Sequence, residues 1–273
     1  MHTNTNSVLI YGPIPRHLII IREYGVSKLR VEFLVSLGVT ALLGATFGTV
    51  AFMHRWGSPA YTVAYLSPFL ATGLIGWARI EPDHAHRRLG PANWITIGRL
   101  GIACLLFGLA ADLAATGAVL PATAAWTVIA LALAGFVLDG VDGWIARRTG
   151  YESAFGARFD MEVDAFLILV LSVIAWQLDK AGPWVILLGA MRYLFWMTGL
   201  VFSRFAAPLP ASFRRKAACI IAGVAVTVSM APVVVPPAST WLAAVALAVL
   251  GYSFLVDSLW LVHRTLPAPS RRG

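Results

Sequence analysis

The amino-acid sequence predicts an all-α integral membrane protein with about eight transmembrane helices, each needing ~20 mostly apolar residues. Two observations carry this. The 273 residues are 59% hydrophobic and only 12% charged, far from the balance of a soluble domain. The basic residues are also segregated. If the N-terminus is cytoplasmic, only Arg55 and Lys180 of the 21 Lys and Arg fall in outer segments, and only Arg192 falls deep within a span. That pattern obeys the positive-inside rule with both ends inside. The net charge of +8 and pI near 10 then reflect inner loops beside anionic lipid headgroups and require no nucleic-acid partner.

The expected spans are 32–53, 59–78, 93–116, 121–145, 158–178, 183–203, 216–235 and 239–262. Residues 1–31 end in a basic, apolar-rich stretch suited to the inner membrane surface. The first span carries Gly44 and Gly48 at GxxxG spacing, which lets helices pack closely. Spans one and two contain no intramembrane acid and look like an added pair before a six-helix unit. The boundary falls in the polar linker ARIEPDHAHRRLGPAN, giving an N-terminal part (1–90) and a catalytic membrane domain (91–273). His84 and His86 in that linker lack a third metal ligand nearby and read as solvated.

The third span opens with PANWITIGR, so Asn93, Thr96 and Arg99 form one polar stripe. The stripe has two readings: an Asn93 cap with a snorkelling Arg99, or a polar face turned to a ligand. Cys104 and Cys219 lie in apolar spans and read as small buried hydrophobes. Arg192, in mid-span, must face protein, water or an anion. Arg214, Arg215 and Lys216 form a basic cluster at the start of span seven. Either they set topology or, with Arg192, they receive an acceptor phosphate.

The chemistry concentrates between 139 and 164. Asp139 and Asp142 are spaced i, i+3, and Asp160 and Asp164 i, i+4, so each pair shares a helix face. Four acids at a membrane mouth repel one another, and hard carboxylate oxygens suit Mg²⁺, Mn²⁺ or Ca²⁺. Glu162 points elsewhere and is left out of the set. The stretch with Gly143, Arg147, Arg148, Gly150 and Gly156 reads as a polar link between the two helices, with Arg147 placed to hold a phosphate.

The pattern Asp139-x2-Asp142-Gly143-x2-Ala146-Arg147-x8-Gly156-x3-Asp160-x3-Asp164 resembles the signature of the CDP-alcohol phosphotransferase family. The PANWITIGR segment resembles the start of that family's first helix. The resemblance implies a six-helix CDP-alcohol phosphotransferase-like core over about 90–262, preceded by two extra N-terminal helices. It further implies that Asp139, Asp142, Asp160 and Asp164 hold one or two Mg²⁺ or Mn²⁺ ions, with Asp164 as general base. Asn93, Thr96, Gly143, Ala146, Arg147 and Gly156 would form the nucleotide site. The partners would be CDP-diacylglycerol, a small alcohol acceptor and membrane lipids, and the chain would form a homodimer.

The expected activity is transfer of a phosphatidyl group to a small polar alcohol with release of CMP. Its site would face the cytoplasm from the inner (cytoplasmic) membrane, with both termini on that side. Two rivals stand beside it: transfer of a CDP-linked headgroup to diacylglycerol and, from another class, divalent-cation transport.

Overall fold

The computed structural model describes residues 16–51, 58–84, 86, 88–202, 205, 207, 209 and 212–263. Among these residues the fold is all helical, with no strand. The helices are α1 (Arg16–Ala51), α2 (Pro59–Asp83), α3 (Pro91–Thr116), α4 (Ala122–Thr149), α5 (Ala154–Gln177), α6 (Leu187–Val201), α7 (Phe213–Ser229) and α8 (Ala238–His263). A short 3-10 turn, Pro183–Ile186, leads into α6.

Among the described residues, six stretches are long and apolar enough to cross a membrane: Lys28–Phe47, Pro59–Ile80, Pro91–Thr116, Ala122–Thr149, Pro183–Val201 and Ala238–His263. The remaining two helices fall short for visible reasons. The first three turns of α5 carry Arg158, Asp160, Glu162 and Asp164. Helix α7 has only 17 residues, and Arg214, Arg215 and Lys216 occupy its first turn. The N-terminal basic stretch forms no separate surface element from Arg16 onward; it is continuous with the first span in the 36-residue α1.

Helix α3 is the centre of the bundle. Two thirds of it (67%) is buried, whereas no other candidate span exceeds 33%. Helices α1, α2, α4 and α5 all pack on it. Helix α5 also packs against α6 and α7, and α7 pairs with α8. Gly44 on α1 lies against the Tyr65 hydroxyl of α2, which donates to the Ala41 carbonyl at 2.5 Å. Gly44 thus makes room for the Tyr65 side chain, and the packing at Gly48 lies outside what is described.

The polar link around the aspartates is shorter than the sequence suggests. Helix α4 continues through Arg147 and Arg148 to Thr149 and stops where Gly150 turns left-handed at φ 69°. Helix α5 begins at once after Ser153, whose hydroxyl accepts from the Gly156 N–H at 3.0 Å. Gly143 and Arg147 thus sit in the last two turns of α4, and Gly156 in the first turn of α5.

Gly189 of α6 rests directly on the α5 backbone at Leu169, where a methyl group would collide with main chain. Gly189→Ala should therefore push α6 off α5 and destabilise the fold by about 1–3 kcal/mol. A lower midpoint of thermal unfolding in detergent checks this.

Candidate active site

The site is built from three helices that meet at one side chain. Arg99 of α3 is completely buried. Its Nη1 donates to Asp142 Oδ2 at 2.9 Å and Asp160 Oδ1 at 2.5 Å, and lies 3.2 Å from Asp139 Oδ1. Its Nη2 bonds Asp164 Oδ1, and its Nε donates to the Gly135 carbonyl at 3.1 Å. Thr96, one turn earlier, donates to Asp142 Oδ2 at 3.1 Å. The polar stripe on α3 thus faces the aspartates through Thr96 and Arg99.

Helices α4 and α5 barely touch each other, and both lie on α3. The two carboxylate pairs therefore meet across Arg99, not across a direct helix contact. Asp139 and Asp142 are buried, whereas the side chains of Asp160 and Asp164 keep 36% and 26% of their surface exposed. The open side of the site is the α5 side.

This donor set fits a hard divalent cation. One carboxylate oxygen from each of Asp139, Asp142 and Asp160 lies within 4.8 Å of the others. Oxygens ~2.0–2.6 Å from a shared ion span such distances. One guanidinium cannot balance four acids. Each carboxylate also has a second oxygen and spare lone pairs, so Arg99 does not exhaust the set.

The other expected residues fall into separate groups. Arg147 and Lys216 are exposed, and their charged ends lie near Gly143: a methyl group there would lie 3.3 Å from Arg147 Nη1 and 3.9 Å from Lys216 Nζ. Ala146 lies half-buried on the same stretch of α4. Arg214 donates to the Ser253 carbonyl at 2.5 Å and the Ser253 hydroxyl at 2.7 Å, and pairs with Asp257. Arg215 reaches Asp257 at 3.4 Å. Arg192 pairs with Glu162 at 2.5 Å. The structure thus pairs Arg192 with Glu162 and both Arg214 and Arg215 with Asp257, while Lys216 approaches Gly143; Glu162 lies outside the carboxylate cluster. Arg148 lies over the Trp144 ring at 4.9 Å.

Asn93 does not cap α3. Gly90 holds the cap position and Pro91 starts the helix. The Asn93 amide nitrogen instead donates to the Leu89 carbonyl at 2.5 Å and lies 3.3 Å from His84 Nε2. Its amide oxygen faces Gly156, where a methyl group would come within 2.8 Å. His84 is correspondingly buried, contrary to its reading as solvated. His86 also has a partner, the Glu152 carbonyl 3.2 Å from its Nε2. Sequence reasoning missed these contacts because the partners lie far along the chain. The regular Asn93–Thr96–Arg99 spacing was the one signal for Arg99, and the stripe alone left two readings open.

Taken together, these features define a helical membrane protein with a carboxylate centre suited to a hard cation at one end of the bundle. Residues 90–252, more than half of the chain, match the CDP-alcohol phosphatidyltransferase family, and the chain belongs to that family. It is therefore a transferase of phosphorus-containing groups that works on CDP-alcohols among membrane lipids. Comparison with curated proteins and with solved structures gave no match.

Two predictions follow from this geometry. Arg99→Met leaves four acids without their buried partner, a loss of about 3–5 kcal/mol. The variant should melt well below wild type in EDTA and recover part of the difference in Mn²⁺ or Mg²⁺, since a cation restores positive charge. Thermal unfolding with and without chelator reads this. The second concerns His84, in the loop between α2 and α3. Burial holds its imidazole below the ordinary value of 6.5. Its Nε2 lies 3.3 Å from the Asn93 amide nitrogen, and its Nδ1 lies 3.1 Å from the His86 carbonyl oxygen and 3.2 Å from the His86 backbone nitrogen. Because the folded value is depressed, this stability is complete above 6.5 and is lost as pH falls through the folded value. The midpoint of unfolding should drop more steeply between about pH 7 and about pH 5 in wild type than in His84→Gln.

Proposed function

We propose that this protein transfers a phosphatidyl group from CDP-diacylglycerol to the hydroxyl of a small polar alcohol, releasing CMP. The observation that carries the reading is the convergence of Asp139, Asp142, Asp160 and Asp164 at one point, within the part of the chain that matches the family. Asp139, Asp142 and Asp160, with Asp164 beside them, are the residues that would hold Mg²⁺ or Mn²⁺, as one or two ions. When bound, the metal neutralises diphosphate charge.

The chain's own residues account for the remainder. Arg147 and Lys216 are exposed cations beside Gly143, suited to the phosphates of the nucleotide and to a polar acceptor. Gly143 and Ala146 border the nucleotide, Gly156 lets the Asn93 amide oxygen approach, and Asn93 and Thr96 hold the α3 end of the site. Asp164 lies on the open side and takes the proton of the acceptor hydroxyl. The hydroxyl oxygen forms a bond to the phosphorus that carries the diacylglycerol. The bond from that phosphorus to the bridging oxygen breaks, and CMP leaves with the electron pair.

The same reading extends to topology. We propose that α5 and α7 also cross the membrane, their polar turns sheltered by neighbouring helices, which makes eight spans. Both termini and the site then face the cytoplasm at the inner membrane. On this reading α1 and α2 are an appended pair before a catalytic domain of six helices, and the chain works as a homodimer.

The test is CMP release by the purified chain given CDP-diacylglycerol, Mn²⁺ or Mg²⁺ and a panel of alcohols. Asp164→Asn should lower turnover by about 10²–10⁴-fold, as loss of a general base does. Lys216→Ala should raise KM with a smaller effect on turnover. CMP release at the wild-type rate by Asp164→Asn would remove Asp164 from its role. A chain that releases CMP only from a CDP-linked headgroup with diacylglycerol present would reverse donor and acceptor.

A further inference from the structure

Helix α7 brings a cation to the site, and its own sequence does little to hold that cation in place. Its first turn carries Arg214, Arg215 and Lys216 in a row. Cations at a helix N-terminus oppose the helix dipole, and no side chain caps this one. The bond from the Lys216 N–H to the Ser212 carbonyl, which opens the helix, is long at 3.5 Å. Lys216 nevertheless extends to α4, where a methyl group on Gly143 would lie 3.9 Å from its Nζ. Among the described residues that Nζ has no hydrogen-bond or ion-pair partner to keep it there. Its position therefore comes from the orientation of α7 itself.

Two contacts set that orientation, one along the body of the helix and one at its first turn. Gly223 admits the Phe136 ring of α4 so closely that a methyl group there would collide with it. At the first turn the hold comes from α8. A carboxylate buried in an apolar helix has to be paired, and the buried Asp257 takes Arg214 and Arg215 as its partners. Arg214 also donates to the Ser253 carbonyl at 2.5 Å and the Ser253 hydroxyl at 2.7 Å. Successive residues of an α-helix are turned by about 100°, so Arg214 and Lys216 stand about 200° apart. The rotation that keeps Arg214 on α8 thus sends Lys216 to the other side, onto α4. Ser253 and Asp257 lie just beyond the residues that match the family.

We infer that Asp257, together with Ser253, is a positioning pair for the site: by holding Arg214 it fixes the rotation of α7 that keeps Lys216 beside Gly143. Asp257 touches neither nucleotide nor acceptor and acts through Lys216. This role rests on the proposed reading of Arg147 and Lys216 as cations that receive phosphate.

The test is equilibrium binding of CDP, with Mn²⁺ present, to the purified full chain and to K216A, D257N and K216A/D257N. K216A should weaken binding about tenfold, as loss of a charge-assisted contact to phosphate does. D257N should weaken it by most of that factor. The double variant should bind no more weakly than K216A alone, because residues that act through one another are not additive. Thermal unfolding separates positioning from support of the fold. A lower melting midpoint in D257N with CDP affinity unchanged would overturn the inference. Full additivity in the double variant would do the same, since Asp257 would then act independently of Lys216. If D257N does not fold, R214Q, which leaves Asp257 paired with Arg215, goes through the same cycle and decides. Wild-type affinity in K216A is a different failure: it removes Lys216 from the phosphate site, and the positioning role falls with that reading.

Discussion

A charge inside a membrane protein must be answered where it stands, and in this molecule the demand is met by Arg99. Its guanidinium has no exposure and makes contact with four carboxylates from two helices that barely touch. Removing a partner from such a network is far costlier than the network's net worth, because the remaining charges cannot be rehydrated. Helices α3, α4 and α5 are therefore held at one level relative to one another. That registration sets the positions of the acids on which any chemistry here depends.

Helix α5 shows what this arrangement demands of a single element. Its first turns carry too many charges for an independent apolar span, so its place depends on neighbours that receive those charges. One face supplies Asp160 and Asp164 to Arg99. The other supplies Glu162 to Arg192 and a row of phenylalanines to a cleft of about 920 Å³ that α2 and α6 also line. Two environments of different polarity are thus separated by the thickness of one helix.

The N-terminal pair does more than lengthen the chain. Glu32 of α1 accepts the Leu89 N–H at 3.1 Å, just before α3 begins. Phe33 meets Phe155 and Phe159 edge-on at 5.7 and 6.2 Å. The loop after α2 adds the chain from His84 through Asn93 to Gly156. Together these contacts fasten the starts of α3 and α5, the two helices that carry Arg99, Asp160 and Asp164. The role of the pair is thereby mechanical, and α2 also supplies one wall of the cleft beside α5.

Much of this was legible in the one-dimensional chain. Helix starts and stops follow from apolar runs and from local signals such as Ser58–Pro59 before α2, Gly150 and Ser153, all of which act within a few residues. The aspartates could be recognised from spacing, since i, i+3 and i, i+4 place side chains on one face wherever the helix goes. Spacing also removed Glu162 from that face. What the sequence by itself could not decide was who faces whom. Arg99 and Arg192 look alike as letters in apolar runs, yet one stands among four acids and the other beside a cleft on the far side of α5. His84, a loop residue by composition, is buried because α3 and α5 close over it. Those outcomes depend on contacts between residues dozens of positions apart, and only the packing of helices on α3 brings such residues within bonding distance.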